Sequence, residues 1–233
     1  MESTSIARVA SLIGEAGRIQ MLTSMLDGNG HSASELANAA NVSPQTASSH
    51  LSKLLYGELV VCERNGRQRL FRLKNANVAA AIEALGAIAQ SPENASMPGI
   101  RFARSCYDHL AGVLAIALRN ELIRSGALRH SQEGFALTSA GKQLLRMLDV
   151  DTDSLKNLRR SFATKCLDWT ERHHHLGGAV GAALLSRFIE RKWLARMRDT
   201  RALRLTQAGE RGFEHVFGVH CAELQAASRV STR

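Results

Sequence analysis

The chain has 233 residues, which fits one or two domains, and 45% of these residues are hydrophobic, which is enough for a core. It holds only 3 prolines, which favours helices, and its formal net charge of +9 suits a polyanionic partner. No run approaches the ~18 apolar residues that a membrane span needs, and the N-terminus lacks a secretory signal. We therefore expect a mostly α-helical, cytoplasmic protein with small β-hairpins and reduced thiols.

Turn and capping residues predict short helices at the start of the chain. Helices over residues 6–13 and 18–26 end at the sequence Asp-Gly-Asn-Gly, residues 27–30. Ser32 can cap the next helix, because Glu35 follows three residues later, as in a capping box. The third helix is therefore expected to be short, with a defined first residue.

A fourth helix and a hairpin come next. Ser43 is placed as the N-cap of this helix, with Pro44 at the first helical position. Two β-prone runs then flank Asn65 and Gly66, a pair that is typical of tight hairpins, and a last helix covers residues 78–88. The order of helix, turn, helix and hairpin predicts a winged helix-turn-helix domain.

The fourth helix has a polar side that fits the major groove of DNA. Small polar side chains can meet base edges or phosphates there, while Lys53 and the arginines of the wing can meet the phosphate backbone. We therefore predict double-stranded DNA as a partner. The predicted DNA-contacting residues are Ser43, Gln45, Thr46, Ser48, Ser49, His50, Lys53, Arg64, Arg67 and Arg69.

A change in composition divides the chain into two domains. Residues 91–100 hold two of the three prolines, surrounded by serine, asparagine and glycine, and so predict a linker. We assign residues 1–90 to the winged helix-turn-helix and residues 101–233 to a second domain. The residues after position 91 carry a net charge of +8, which would permit auxiliary phosphate contacts, but the Ala/Leu-rich helices of this part favour burial.

The second domain contains an internal repeat. In two 20-residue segments that start at His109 and, 66 residues later, at His175, 7 positions are identical. Each segment is followed by the pattern Leu-Thr-x-Ala-Gly, whose threonine is placed as a helix N-cap. We therefore predict two winged-helix-like repeats, at about residues 101–150 and 165–220, that bind an effector or support a dimer.

Reactive and metal-ligating residues gather near the start of each repeat. Cysteine, aspartate and histidine occur together at residues 104–110 and again at residues 165–176. Cys106 and His109 would lie one helical turn apart, a spacing that suits a metal ion or a thiol with a lowered pKa. A thiol-reactive or small-molecule sensor, a metal sensor and a purely structural cluster all remain open. The candidate sensor residues are Cys106, Tyr107, His109, Cys166, Asp168, Trp169 and His175.

Three patterns around the fourth helix carry a family resemblance. They are Ser-x-His-Leu-x-x-Leu at residues 48–54, Gly-x-Leu-Val at residues 57–60 and Arg-x-Gly-Arg-x-Arg at residues 64–69. With these patterns, roughly residues 5–88 resemble the ArsR/SmtB family of winged-helix repressors. The resemblance implies a homodimer that pairs through the first and last helices of this domain, and repression that an effector relieves. Members of that family sense metals, redox state or other signals.

The metal ligands usual for that family are missing here. Its metal sensors often carry cysteines in the helix before the recognition helix, where this chain has Glu-Leu-Ala-Asn-Ala-Ala at residues 35–40. Another of its sites uses residues of the last helix, where Glu83 is the single candidate ligand. We therefore expect no cofactor and no metal at the usual sites, and place any sensor in the second domain. Cys62, in the first wing strand, is interpreted as a small core residue.

These observations favour a homodimeric transcriptional repressor that a small molecule or a thiol-reactive signal releases from its operator. A metal-responsive repressor that uses the cysteines and histidines of the second domain is the alternative. A thiol enzyme with Cys106 or Cys166 as nucleophile is disfavoured, because the sequence has no Gly-rich phosphate loop, no nucleophile elbow and no metal-hydrolase spacing. A module that docks proteins through its winged helix is the third hypothesis, and sequence-specific DNA binding would exclude it.

Overall fold

A computed structural model describes residues 3–66, 68–89, 99–158, 160–168, 170–197 and 200–230. The chain forms two compact units, Met1–Ile82 and Glu83–Arg233. The predicted linker lies outside the described residues except for its last two positions. Helices and short antiparallel hairpins make up both units, in agreement with the predicted fold class. Among the described residues, no helix is both long enough and apolar enough to cross a bilayer.

The first unit has the order of elements that the sequence predicts. The Ser32 hydroxyl accepts from the Glu35 N–H at 3.2 Å and the Glu35 carboxylate accepts from the Ser32 N–H at 2.7 Å, which confirms the capping box. Ser43 caps the next helix by accepting from the Thr46 N–H at 3.1 Å. The elements are α1 (Ser3–Ile13), α2 (Ala16–Ser24), β1 (His31–Ser32), α3 (Ala33–Ala39), α4 (Pro44–Tyr56), β2 (Val60–Asn65), β3 (Gln68–Leu73) and α5 (Ala76–Ala89), of which the part after Ile82 belongs to the second unit.

The core of the first unit fixes which side of α4 faces outward. Ala47, Leu51 and Leu54 lie on one side of this helix at helical spacing, and all three are buried. The three strands form an antiparallel sheet in the order β1-β3-β2, and β2 and β3 with the turn between them are the wing. The other fully buried side chains of this core include Met21, Leu22, Met25, Leu36 and Leu73.

The second unit contains the same order of elements twice: hairpin, helix, hairpin, helix. The helix, hairpin and capped helix of each copy match the sequence-based expectation, whereas the hairpin that precedes them was not predicted. That the copies are winged-helix-like repeats stays a prediction. The first copy comprises β4 (Arg104–Cys106), β5 (His109–Ala111), α6 (Val113–Arg124), β6 (Leu128–Ser131), β7 (Gly134–Leu137) and α7 (Ser139–Met147). After α8 (Thr152–Lys156), the second copy comprises β8 (Thr164–Leu167), β9 (His174–Gly177), α9 (Gly178–Glu190), β10 (Leu194–Arg196), β11 (Leu203–Leu205) and α10 (Gln207–Phe217), and α11 (Cys221–Val230) follows.

The last helix of each copy has the predicted N-cap. Thr138 accepts from the Gly141 N–H at 3.1 Å, and Thr206 accepts from the Gly209 N–H at 3.0 Å. The two central helices, α6 and α9, bury their Ala/Leu-rich sides in one core that both copies share, as their composition suggested. Phe188 of α9 lies within this core. One shared core means that the two copies fold as a single unit.

A glycine with positive φ starts the central helix of each copy. Gly112 has φ 91° and Gly178 has φ 76°, a region that residues with a side chain rarely enter. A Cβ added at Gly178 would lie 2.7 Å from the Ser161 carbonyl oxygen and 2.9 Å from that of Phe162. The same two carbonyls accept hydrogen bonds from the N–H groups of the two residues that follow Gly178. The close approach of the Gly178 backbone to these carbonyls therefore anchors the start of α9.

Gly178→Ala should lower the free energy of unfolding of the second unit by about 2–4 kcal/mol, from left-handed strain and overpacking together. The control is Gly126→Ala, because Gly126 has φ 71° but no atom within 4 Å of an added Cβ. Lys192 occupies the corresponding position of the second copy, 66 residues later, and has φ 57° although it carries a side chain. The control should therefore cost only about 1 kcal/mol. Urea unfolding curves measure both, and equal losses would contradict the assigned steric contact.

Candidate nucleic-acid interface and Cys/His cluster

The outward side of α4 is polar and exposed. Gln45, Thr46, Ser48, Ser49 and Lys53 are all exposed, as predicted for a helix that enters the major groove. Gln45 and Thr46 lie in the first turn after the N-cap residue Ser43, so the positive end of the helix dipole lies beside these two. The described part of this face therefore combines hydrogen-bonding groups with one cation.

His50 does not share this exposed face, and its placement there was wrong. It has only 9% of its surface exposed, and its Nε2 lies 3.3 Å from Oε2 of Glu15 at the start of α2. Helical spacing explains the error, since residue 50 follows Ala47 by three positions and precedes Leu54 by four, and both of these are core residues. His50 thus contacts the start of α2 and holds α4 against it.

The wing brings two arginines together. Arg64 and Arg69 are cross-strand partners and both are exposed. Like charges directly opposite each other on neighbouring strands repel, and a phosphate between them would relieve this repulsion. Arg67 lies outside the described residues. Cys62 is half-buried rather than a core residue, and its Sγ lies 3.3 Å from Nε of Arg69.

In the second unit, the candidate sensor residues lie on the two hairpins that were not predicted. Cys106 of β4 is the cross-strand partner of His109 of β5, and Cys166 of β8 is the partner of His175 of β9. The spacing of Cys106 and His109 thus comes from a tight hairpin and not from a helical turn, which corrects the sequence-based expectation. Each copy contributes one cysteine and one histidine.

The two Cys/His pairs meet, and we call these four residues the Cys/His cluster. The Sγ atoms of Cys106 and Cys166 are 3.7 Å apart, and the Nε2 atoms of His109 and His175 are 3.1 Å apart. All four potential ligand atoms lie within 4.8 Å of one another. Three of the residues are buried and Cys166 is half-buried. The hydrogen bond with Cys166, followed by burial, raises the pKa of the Cys106 thiol.

A carboxylate lies beside the second ring nitrogen of each histidine. Oδ1 of Asp108 is 3.4 Å from Nδ1 of His109, and the same carboxylate pairs with Arg160. Oδ2 of Asp168 is 3.6 Å from Nδ1 of His175. Asp108 favours a proton on Nδ1 of His109, whereas the 3.6 Å between Asp168 and Nδ1 of His175 is too long for a hydrogen bond.

Asp168 also joins the two copies through buried polar contacts. Its Oδ1 lies 2.9 Å from Nη2 of Arg104, and neither side chain is exposed to solvent. Its Oδ2 accepts from the Gly112 N–H at 2.7 Å, and its Oδ1 accepts from the backbone N–H groups of Thr170 and Glu171. Burial opposes ionisation of Asp168, but the Arg104 guanidinium, His175 and the hydrogen bond from Thr170 together outweigh burial and lower the pKa of this carboxyl.

Two sequence candidates, Tyr107 and Trp169, are not among the four residues of the Cys/His cluster. Tyr107 occupies the turn between β4 and β5, half-buried, with φ 58°. Trp169 lies outside the described residues. Arg104, Asp108 and Arg160 were not among the sequence candidates. The sequence nonetheless contains a signal for the shared geometry, because Phe-Ala-x-x-Cys-x-Asp occurs at residues 102–108 and again at 162–168.

Comparisons with known proteins agree with the geometry of the first unit. The family described as bacterial regulatory protein, arsR family, matches residues 15–61. The HTH-type transcriptional regulator YdfF of Bacillus subtilis (strain 168) is 42% identical over 216 residues, which span 90% of this chain and 96% of that protein. The alignment with YdfF is long enough to include most of the second unit.

Solved structures match a smaller part of the chain. HlyU from Vibrio cholerae is 26% identical over 39% of this chain and 100% of its own, with a TM-score of 0.36. The homodimeric winged helix-turn-helix domain of Mb0332 from Mycobacterium bovis is 27% identical over 37% of this chain and 79% of its own, with a TM-score of 0.34. The cadmium sensor CMTR from Mycobacterium tuberculosis is 28% identical over 36% of this chain and 83% of its own, with a TM-score of 0.31.

Proposed function

Because the chain belongs to the ArsR family of bacterial DNA-binding transcriptional regulators, we propose that it is a homodimeric repressor whose operator binding is relieved by an effector that acts on the second unit. The exposed polar face of α4 carries this proposal. Gln45 has the amide that pairs with adenine through two hydrogen bonds, and Lys53 has the charge that neutralises a phosphate. Arg64 and Arg69 extend the contact to the neighbouring backbone.

Exposed apolar side chains support the homodimer. Ile6 and Val9 on α1 are 50% and 37% exposed, and Leu85 and Ile88 on α5 are 43% and 77% exposed. Large apolar side chains at helical spacing on the surface are typical of a surface that a partner covers. α1 and α5 are also the first and last helices of the N-terminal region, which the family resemblance assigns to pairing.

The Cys/His cluster supports an effector that acts on the second unit. Two thiols 3.7 Å apart can be oxidised to a disulfide after a small movement, and the same cluster offers four metal ligands. A thiol-reactive signal is therefore the first candidate for the effector. A metal ion is the second candidate, favoured by the same four residues.

Fluorescence anisotropy with labelled DNA from upstream of the gene tests the proposal. Reduced, metal-free protein is titrated against this DNA and against a scrambled duplex, with light scattering to give the mass of the free protein. We expect a dimer that prefers the upstream DNA. Mild oxidant, or separately zinc, should then weaken this binding.

Different failures contradict different parts of the proposal. Equal affinity for the scrambled duplex contradicts operator recognition, and a monomeric mass contradicts the dimer. Selective binding that neither oxidant nor zinc changes contradicts an effector at the cluster. In that case the protein is still an operator-binding regulator, and its effector is a molecule that binds outside the Cys/His cluster.

Lys53→Ala should reduce the salt dependence of DNA binding. Each phosphate contact contributes about 0.9 to the slope of log affinity against log salt, so loss of two contacts per dimer lowers that slope by about 2. The control is Lys156→Ala, which removes the same charge from a residue of the second unit that is ion-paired with Asp153 at 2.8 Å. Anisotropy titrations at several salt concentrations measure both. An unchanged slope for Lys53→Ala would remove Lys53 from the DNA contact.

A further inference from the structure

We propose that Cys106, His109, Cys166 and His175 form a closed, four-coordinate site for a divalent metal ion of the zinc type, which joins the two copies of the second unit. Two ligands come from the β4–β5 hairpin and two from the β8–β9 hairpin. The proposal goes beyond the proposed function and does not depend on it. A protein that binds no DNA could still hold this metal.

The distance within each pair of like ligand atoms fits tetrahedral coordination, and the four atoms together lie within 4.8 Å of one another. Zinc bonds of about 2.3 Å to sulfur and about 2.0–2.1 Å to nitrogen place two sulfurs about 3.8 Å apart and two nitrogens about 3.3 Å apart. The observed Sγ–Sγ and Nε2–Nε2 distances are 3.7 Å and 3.1 Å. Both pairs therefore already have the separations that one shared ion would give them.

The histidine pair offers two ring nitrogens to one ion. The Nε2 atoms of His109 and His175 face each other at 3.1 Å, in a contact that a proton on either nitrogen or a metal ion between them satisfies. Oδ1 of Asp108 lies 3.4 Å from Nδ1 of His109, and a proton held on Nδ1 frees the Nε2 lone pair for a metal ion. Carboxylates on the outer nitrogens are also the partners that orient metal-bound histidines in proteins.

The charge balance of the site suits a divalent ion. Binding of M²⁺ displaces to solvent the proton of each thiol and any proton held on an Nε2 atom, and forms two metal–sulfur bonds and two metal–nitrogen bonds. Two thiolates and one divalent cation sum to zero, so the complex introduces no net charge among buried residues. Two cysteines with two histidines in tetrahedral geometry favour zinc over calcium or magnesium, which prefer oxygen ligands.

Two glycines pack against His109 of this site, and a larger residue at either position would crowd that histidine. A Cβ added at Gly177 would lie 3.3 Å from Nε2 of His109, and a Cβ added at Gly181 would lie 3.1 Å from Cβ of His109. With four protein ligands, the ion would have no open position for substrate. The site therefore joins two hairpins or controls their association, and it is not a catalytic centre.

Cobalt(II) is the probe for the test, because its visible spectrum reports coordination geometry. The full-length protein is reduced, stripped of metal and titrated with Co²⁺ under nitrogen. We expect one Co²⁺ per chain, the intense d–d absorption of tetrahedral cobalt and a thiolate-to-cobalt charge-transfer band in the near ultraviolet. Zn²⁺ should abolish these bands, and its binding to metal-free protein should release the two thiol protons into a weak buffer.

Cysteine variants assign the ligands. Cys106→Ser and Cys166→Ser should each weaken the charge-transfer band and lower cobalt affinity at least 100-fold, and the double variant should lose the band. Cys62→Ser and Cys221→Ser are the matched controls, since these cysteines lie outside the cluster, and both should leave the spectrum unchanged. Circular dichroism of each metal-free variant shows whether its fold persists.

Three results would count against the proposal. One is an octahedral cobalt spectrum without a charge-transfer band in the unmodified protein, which needs no variant to interpret. Another is a charge-transfer band that survives in the Cys106→Ser, Cys166→Ser double variant. A cluster that zinc does not protect from oxidation to a disulfide also counts against it, because bound thiolates resist oxidants.

Discussion

Asp168→Ala should lower the free energy of unfolding of the second unit by about 3–5 kcal/mol, because it leaves the Arg104 guanidinium buried without its partner carboxylate. Neither side chain of this pair is exposed to solvent. The substitution also removes the acceptor for the Gly112 N–H at the start of α6. Both tryptophans, at positions 169 and 193, belong to the second unit, so tryptophan fluorescence during urea unfolding follows that unit selectively.

The effect of Asp168→Ala should depend on pH in a defined direction. The folded-state pKa of Asp168 is lowered, because Arg104 and the other polar contacts together outweigh burial, so its stabilising contribution is fully present above the unfolded pKa of about 3.9. Below that value the unfolded state gains a proton that the folded state does not, and the contribution is lost progressively. The difference between the original protein and the variant should therefore shrink as the pH falls below about 4.

The matched control is Asp108→Ala, at the corresponding position of the first copy. The side chains of Asp108 and Arg160 are 28% and 27% exposed, so solvent screens this ion pair more than the Arg104–Asp168 pair. We expect a loss of about 1 kcal/mol for this partly exposed pair. Equal losses for the two variants would show that burial of the Arg104–Asp168 pair does not set its contribution.

The first unit could be predicted from the sequence because its signals are local. A serine with a glutamate three residues later defines the start of α3, and Ser43 with Pro44 defines the start of α4. Gly66, which follows the last residue of β2, has φ 61°, a conformation that glycine accepts without strain. Each of these elements is specified by residues within one turn of chain.

The Cys/His cluster could not be located in this way, because its hairpins lack local signals. The turn between β4 and β5 contains Tyr107 at φ 58°, where glycine or asparagine would have indicated a hairpin. Packing with the rest of the unit imposes this conformation. The sequence supplied the right residue types and the repeat, but the 3.1 Å contact between His109 and His175 depends on how the two copies fold together.

His50 shows a second limit of pattern analysis. A polar residue on a mostly polar helix was grouped with its exposed neighbours, although the 3.6-residue period placed it with the core positions. Its partner Glu15 also caps α2 by accepting from the N–H groups of Gly17 and Arg18. A buried polar residue becomes recognisable only when its partner is known, and here the partner lies 35 positions away.

Gln45→Ala should weaken operator binding by about 30-fold to about 20,000-fold. A side-chain amide that pairs with adenine contributes about 1–3 kcal/mol of discrimination, and a homodimer would make this contact in both half-sites, so about 2–6 kcal/mol is lost. Affinity for the scrambled duplex should stay constant. The slope against salt should also stay constant, because the substitution removes no charge.

The pattern of loss separates base recognition from simple proximity to DNA. Gln20→Ala removes an exposed glutamine from α2 of the same unit and should leave both affinities unchanged. If Gln45→Ala weakens binding to the operator and to the scrambled duplex equally, Gln45 positions the helix and does not discriminate bases. If neither affinity changes, the outward face of α4 is not the surface that enters the groove. Because Lys53→Ala should change the salt slope and Gln45→Ala only the sequence preference, the two variants together distinguish affinity from specificity on one helix face.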